Sequence, residues 1–421
     1  MKLSKVPFKT SKNRGDEEFR SVEMLFQSGQ LRRASAGIYS IGPLLLRAID
    51  KATRLGKKML NKYGCIEVTL PELQAKTIWQ QSGRWEKYKA ADTTFFCKGR
   101  DNEFFFSPTA EEFMTDLVRT HINSYKDLNF NVYQIGKKFR DEIRVRGGLM
   151  RGKEFIMHDG YSFHDTEQSM LDEYANMKKC YHEIFKAFGI DTVAVRAVND
   201  YGGKNSEEIM CFCDVGEDKV LHDEKSGLVL NREILDYPDL KADILAKYGK
   251  VNFDKMVEKR AVEIGHIFNL DQFYSKTMGI GFTNAAGQRD YCYMGTYGFG
   301  LTRAVNVALE LHCDDDGLCY PISIAPYQVG IVNLSEDQMQ KSQELYDYFN
   351  QNGVEVLWDD RDMGLGAKIK DMLLNGIPYM IVIGNKDAGG KIEVENRKTR
   401  EKTLMTKEEL VKVITEQMKQ Y

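Results

Sequence analysis

The residues of this chain best suited to chemistry lie between Phe139 and Phe163, in FRDEIRVRGGLMRGKEFIMHDGYSF. Arg140, Arg144, Arg146, Arg151 and Lys153 crowd into it, with Glu142, Glu154 and Asp159 between them. A guanidinium is a planar two-pronged donor that matches phosphate and carboxylate geometry. Several of them carried on one strand-and-loop segment imply a strongly anionic ligand. Apolar or aromatic residues alternate with others before the cluster (Tyr133, Ile135) and in its second half (Phe155, Met157). That pattern predicts two strands joined by a polar, glycine-containing loop.

Two further segments have chemical potential. In MGTYGFGLTRAVNVALE, from Met294 to Glu310, Gly295, Gly298 and Gly300 precede a helix that carries Arg303. Backbone without Cβ can approach a nucleotide closely. In SPTAEEFMTDLVRTHI, Pro108 opens a helix with Glu111 and Glu112 in its first turn, where the helix dipole favours them.

These segments need a scaffold. Residues from about 20 to 63 read as helical, with Gly64 as the stop, followed by a strand CIEVTLP ending at Pro71. Aromatic strands are expected at Thr93–Cys97 and Glu103–Phe106, a helix from Glu167 to Phe188, a strand around Thr192–Arg196, and a polar, helical stretch between Asn231 and Glu263. Pro321 and Pro326 punctuate the end of a first domain, 1–325. Beyond them the pattern alternates. Strands are expected at Gln328–Val332, Val354–Trp358, Tyr379–Ile383 and Lys391–Glu395, and helices at Asp337–Gln351, Gly366–Asn375 and Lys407–Lys419. This describes a compact α/β domain over 326–421.

The bulk numbers narrow the class. At 421 residues, with 42% hydrophobic and 29% charged residues, the composition is that of a soluble globular protein of two or three domains. A net charge of −3 leaves any nucleic-acid contact to local basic patches. The eight cysteines include no C-x-x-C pair, so reduced thiols are expected and a structural zinc is not. No stretch reaches the length of a membrane span and the N-terminus has no apolar leader core, which predicts a cytoplasmic protein. A Walker-A loop is absent, which excludes a P-loop ATPase. His266 in GHIF is not followed by a Lys-Met-Ser-Lys-Ser type loop, so it is not read as a class I synthetase signature.

The order Phe139-Arg140-x-Glu142, a loop, then Arg151-x-x-x-Phe155 resembles motif 2 of the class II aminoacyl-tRNA synthetases, in its prolyl-tRNA synthetase version. LQAKTIWQQSGRWEKY (Leu73 to Tyr88) resembles that family's Leu-Gln-Pro-x-x-Leu-Trp-x-x-Ser-Gly-Arg-Trp segment. By the same resemblance motif 1 covers about 43–71, motif 2 about 133–163 and motif 3 about 294–310. The implied fold is an α+β catalytic domain, a class II antiparallel sheet flanked by helices, with a C-terminal α/β anticodon-binding domain. The implied reaction joins L-proline to ATP as prolyl-adenylate, with Mg²⁺ accompanying the nucleotide, and then to the 3′ end of a tRNA. Neither step demands a protein nucleophile, only alignment and neutralisation of phosphate charge.

The resemblance also implies roles. Arg140 bridges the substrate carboxylate and the α-phosphate, Glu142 faces the adenine, Phe155 stacks on it, and Arg151 and Arg303 hold the γ-phosphate. Thr109 and Glu111 take the prolyl nitrogen, with His266, Gly202, Gly203 and Thr296 near the amino-acid pocket. Asp360, Arg361 and Lys368 are candidates for anticodon contact. No protein metal ligand is implied, and a homodimer is. The long editing domain that many bacterial prolyl enzymes carry between motifs 2 and 3 has no room in 231–263, so the chain resembles the short form.

Several positions depart from the family. Its Arg-Pro-Arg-Phe/Tyr-Gly reads Arg144-Val145-Arg146-Gly147-Gly148, and its Pro-Thr-His-Glu-Glu has Ala110 at the third place. Its Lys-Asp-Ala reads His158-Asp159-Gly160, its Ser-His-Glu-Phe reads Ser206-Glu207-Glu208-Ile209, and the second arginine of Asp-Asp-Arg-x-x-Arg-Pro-Gly becomes Gly364. These departures keep two other readings open here: a paralogue that adenylates proline or a relative for a non-tRNA acceptor, and a non-catalytic tRNA-binding or regulatory paralogue.

Overall fold

The computed structural model describes the chain apart from residues 12–16, 198–205 and 385–388. Gly202 and Gly203 therefore lie outside the described residues. The region before Pro321 is built on a nine-stranded sheet. At its centre, Phe130–Phe139, Glu154–His164, Tyr293–Gly300 and Val257–Asp271 run antiparallel, with Tyr133 opposite Gly160, Thr296 opposite Tyr161 and His266 opposite Gly298. The alternation around the arginine cluster thus does produce paired strands, with the polar loop between Phe139 and Glu154.

The 15-residue strand Val257–Asp271 has two partners on its other edge. Its first half pairs with Asp218–Asp223 and its second with Ser206–Phe212. Through Val193–Ala197 and Leu228–Asn231 these pairings close into a small ring of strands around Val195, Met210, Val220, Val229 and Ala261, all buried. The expected helical stretch from Asn231 to Glu263 is corrected accordingly. A helix covers Pro238–Tyr248 and stops at Gly249, whose φ of +74° no other residue adopts as readily. From Val257 onward the segment is strand.

One face of the sheet is covered by Glu167–Ala187, Pro43–Lys62, Leu301–His312 and Arg20–Gln27. Met170, Met177, Tyr181, Ile184 and Phe185 recur at helical spacing on the longest of these and meet Ile264, Tyr297 and Phe299 of the strands in one cluster. The expectation of helix throughout 20–63 fails in its middle. Leu31–Ser35 and Ile38–Ile41 form a hairpin, turned at Gly37 with φ +75°. Its turn carbonyl accepts from Lys153 N at 2.8 Å, so the hairpin braces the arginine-rich loop. After the long helix only Ile66–Glu67 pairs as strand, parallel to Val132–Tyr133.

The C-terminal region forms a five-stranded sheet in the order Val356–Asp359, Val329–Asn333, Tyr379–Ile383, Ile392–Asn396, Lys402–Met405. The first three strands are parallel and the last two antiparallel, the final one being an addition to those expected. Helices Met339–Gln351, Leu365–Leu374 and Lys407–Met418 pack on it. Several contacts join the regions, among them the ion pairs of Arg47 and Lys51 with Glu355. Arg397, 2% exposed, donates to both carboxylate oxygens of Asp314 at 2.6 Å and to the Leu318 and Gly317 carbonyls. The N-terminal residues lie along the strand Val356–Asp359. Lys2 bridges Trp358 in parallel, the Met1 ammonium donates to the Val356 carbonyl, and Ser4 donates to Asp360.

Candidate active site

An open cavity of about 1030 Å³ lies over the sheet, and the arginine cluster, the glycine-rich strand and the Pro108–Glu112 segment all border it. Arg140 follows the strand Phe130–Phe139. Its Nε donates to the Pro108 carbonyl at 3.1 Å and its guanidinium lies 5.4 Å from the Phe155 ring. Glu142 lines the same space. Arg151 sits opposite Arg146 across a bridge in the loop, and its Nη1 pairs with Glu217 at 3.0 Å. Gly147 and Gly148, with φ near +57° and +58°, form the turn that lets this loop fold back.

Arg303 occupies the first turn of the helix Leu301–His312. It donates to the carbonyls of Met150 at 2.7 Å and Glu263 at 2.8 Å, which ties the third arginine to both the loop and the sheet. Gly298 leaves the floor bare, since a Cβ there would meet Met157 at 2.5 Å.

Thr109 and Glu111 line the same cavity. Thr109 Oγ1 donates to Glu111 Oε2 at 2.5 Å, and Arg84 approaches the same oxygen at 3.4 Å. Thr296 also lines the cavity but donates its hydroxyl to the Gly160 carbonyl at 3.2 Å. His266 stacks on Phe268 with centroids 3.8 Å apart, and its Nδ1 lies 3.1 Å from Glu263 Oε1.

Sequence reasoning missed the carboxylates beside that histidine. Glu208, Glu263 and His266 offer ligand atoms that all lie within 4.8 Å of one another. Burial, and then the neighbouring charge of Glu263, push Glu208 up to about 8. Glu263 stays ionised, at about 2: burial opposes this, but the contact with His266 and the charges of Arg303 and Arg140 outweigh it. Glu217 and Arg84 were also missed as site groups. Only the Ser82-Gly83-Arg84-Trp85 string carried any sign of Arg84. The Glu208–Glu263 pair is created by strand pairing, which no local spacing encodes.

The anticodon candidates do not line the cavity, and each has a partner within the protein. Lys368 is 3% exposed with its ammonium on the Asn333 carbonyl, so its charge serves the domain's interior. Arg361 is engaged by Asp359 and Asp371, at 2.7 Å each. Asp360 receives Ser4.

Among known families, the tRNA synthetase class II core domain (G, H, P, S and T) matches residues 95–312, and an anticodon binding domain matches 328–417. The chain is 34% identical over 397 residues to a proline–tRNA ligase of Rickettsia bellii, covering 92% of each protein. It is 33% identical over 418 residues to that of Agrobacterium fabrum, covering 94% of this chain and 95% of the relative. The Wolbachia enzyme of the same name is 34% identical over 421 residues, 98% of this chain and 99% of the relative. A Cryptosporidium parvum prolyl-tRNA synthetase solved with L-proline and AMP shares the fold, with a TM-score of 0.75 at 19% identity over 95% of this chain and 74% of that one.

Proposed function

The chain belongs to the class II aminoacyl-tRNA synthetases, in their prolyl branch, and on that premise we propose that it activates L-proline with ATP and transfers the prolyl group to the 3′ end of a tRNA. The observation that carries this reading is that one cavity gathers three arginines, Arg140, Arg151 and Arg303, and the Thr109–Glu111 pair.

Adenylation sets an amino-acid carboxylate against the α-phosphate, and the charge that develops needs fixed cations rather than a nucleophile. Arg140 would meet both reacting groups, with Arg151 and Arg303 on the γ-phosphate, Glu142 and Phe155 on the adenine, and Glu111 with Thr109 on the amine. His266 and Thr296 would border the amino acid. Arg151 now pairs with Glu217, so triphosphate entry exchanges one anion for another. The oxygens of Glu208 and Glu263 fit a divalent cation accompanying ATP, and Mg²⁺ bound there would neutralise phosphate charge.

Domains at 1–325 and 326–421 suit this function, the second holding the tRNA anticodon and the first running without an editing insertion. A homodimer through the motif 1 region agrees with the exposure of Leu46 and Ile66. Among the described residues no helix is long and apolar enough to cross a membrane, which agrees with a cytoplasmic site of action.

Proline-dependent exchange of labelled pyrophosphate into ATP, run beside a panel of other amino acids, tests the assignment. Exchange with a different amino acid alone would overturn proline as the substrate. Exchange without charging of total tRNA would favour the paralogue with another acceptor.

A further inference from the structure

Beside Glu111 lies a cation to which the reading above gives no role. Arg84 is 7% exposed. Its Nη1 donates to Glu112 Oε1 at 3.0 Å, to Glu111 Oε2 at 3.4 Å and to the Tyr274 hydroxyl, and its Nη2 donates to the Tyr88 hydroxyl. The rings of Trp79, Tyr88 and Tyr274 enclose the guanidinium at 5.4, 4.6 and 5.5 Å. Glu112 is fully buried and takes Ser82 Oγ at 2.7 Å on the oxygen that Arg84 also reaches.

Such an arginine acts in two directions. It neutralises Glu112, which would otherwise be an isolated buried charge. Because Glu112 and the two tyrosines anchor it, its remaining reach holds the Glu111 carboxylate. Both recorded contacts of Glu111, from Thr109 and Arg84, fall on Oε2. Among the described residues none falls on Oε1.

We propose that Arg84 is a positioning residue that sets amine specificity: by holding Glu111 through Oε2 it presents Oε1 at one place, matched to the ring nitrogen of proline. This deepens, and rests on, the proline-activating reading. The five-membered ring fixes its nitrogen relative to the carboxylate, so a fixed acceptor meets it at small entropic cost. A primary ammonium turns freely about its Cα–N bond and follows a mobile acceptor equally well. Loosening Glu111 therefore weakens proline more than alanine. Lysine is no substitute, since a single ammonium placed between Glu111 and Glu112 has no second nitrogen to hold the Tyr88 hydroxyl as Nη2 does.

The test uses the full-length protein with Arg84→Lys, and with the double change Arg84→Gln, Glu112→Gln, which also removes the buried carboxylate charge and so guards against simple unfolding. Pyrophosphate exchange is measured with proline and alanine, each at varied ATP. We expect the KM for proline to rise about 10–100-fold, as when the outer partner of a binding group is lost, and the KM for ATP to stay within about twofold. The proline-over-alanine ratio of kcat/KM should fall by a comparable factor. A folded variant with unchanged proline KM and ratio overturns the proposal. So does one in which the KM values for proline and ATP rise together, the mark of general disruption. If the wild type exchanges only with another amino acid, the proline reading alone fails, and Arg84 is judged on that amino acid's KM. If it exchanges with none, both fall.

Discussion

Arg140→Ala separates a residue that acts on ligands from one that holds the protein together. Its side chain makes few contacts of its own: Nε to the Pro108 carbonyl at 3.1 Å, Nη2 to Met157 Sδ at 4.0 Å, and the Phe155 ring at 5.4 Å. The Pro108 carbonyl borders an open cavity, so water replaces the lost donor, and the stability cost is about 1 kcal/mol. In a chain of this length that lowers Tm by no more than about 3 °C. Activity should respond on another scale. Removing a group aimed at developing transition-state charge costs about 10²–10³ in rate, or about 2.7–4 kcal/mol. Glu263 also loses one of the cations that keep it ionised beside Glu208. Pyrophosphate exchange at saturating ATP and proline gives the rate, and a thermal melt gives the stability. Near-normal exchange by the folded variant would refute the placement of Arg140 at the reacting phosphate. A melt lowered by ten degrees or so would make it a structural residue instead.

Other outcomes follow from the same geometry. Burial, then the charge of Lys138, push the fully buried His158 down from 6.5 to about 3. The unfolded imidazole therefore takes up a proton below about pH 6.5 that the folded one refuses, and stability falls by about 1.4 kcal/mol per pH unit as the pH drops from there towards 3. In urea unfolding at pH 7.5 and pH 5, His158→Phe should lose about 2 kcal/mol less than wild type between the two, and parallel losses would contradict the buried neutral ring. Asp314→Ala strips the carboxylate from the buried Arg397 and should cost about 2 kcal/mol, seen in calorimetry as the C-terminal domain melting ahead of the rest. A single unshifted transition would deny that this pair couples the regions. Missing methylenes are worth about 1–3 kcal/mol each, so alanine should be charged at high concentration. Preformed Ala-tRNA should then persist, and its deacylation well above the spontaneous rate would reveal a hydrolytic site in the chain.

Local chemistry was legible in the sequence, and long-range pairing was not. The arginines from Arg140 to Arg151 declare a hairpin because alternation and charge sit in consecutive residues. Glu111 is visible as a helix-start acid for the same reason. The hairpin Leu31–Ile41 was hidden because apolar residues on either side of it keep a helical spacing, and only Gly37 marks the turn. Glu263 becomes a site residue because the strand Val257–Asp271 changes partner along its length, a fact of topology. Lys368 shows a second limit of local reading. Its place just after a family-like loop pointed to RNA, whereas burial against Asn333 is decided by how the helix packs.

The attachment of the N-terminus to the last domain has a consequence for how the protein is made. Met1 and Val356, joined by a hydrogen bond, are 355 positions apart. A ribosome adding about 5–20 residues per second needs roughly 20–70 s to cover that distance. Throughout that interval residues 1–5 have no docking strand. The catalytic sheet can assemble meanwhile, since the partners of Val257–Asp271 have all emerged, or emerge within moments, by Gly300. Assembly on the ribosome is thus vectorial for the active-site sheet and deferred for residues 1–5. Closure at Trp358 is among the last events of birth, and it reports that the C-terminal sheet has formed.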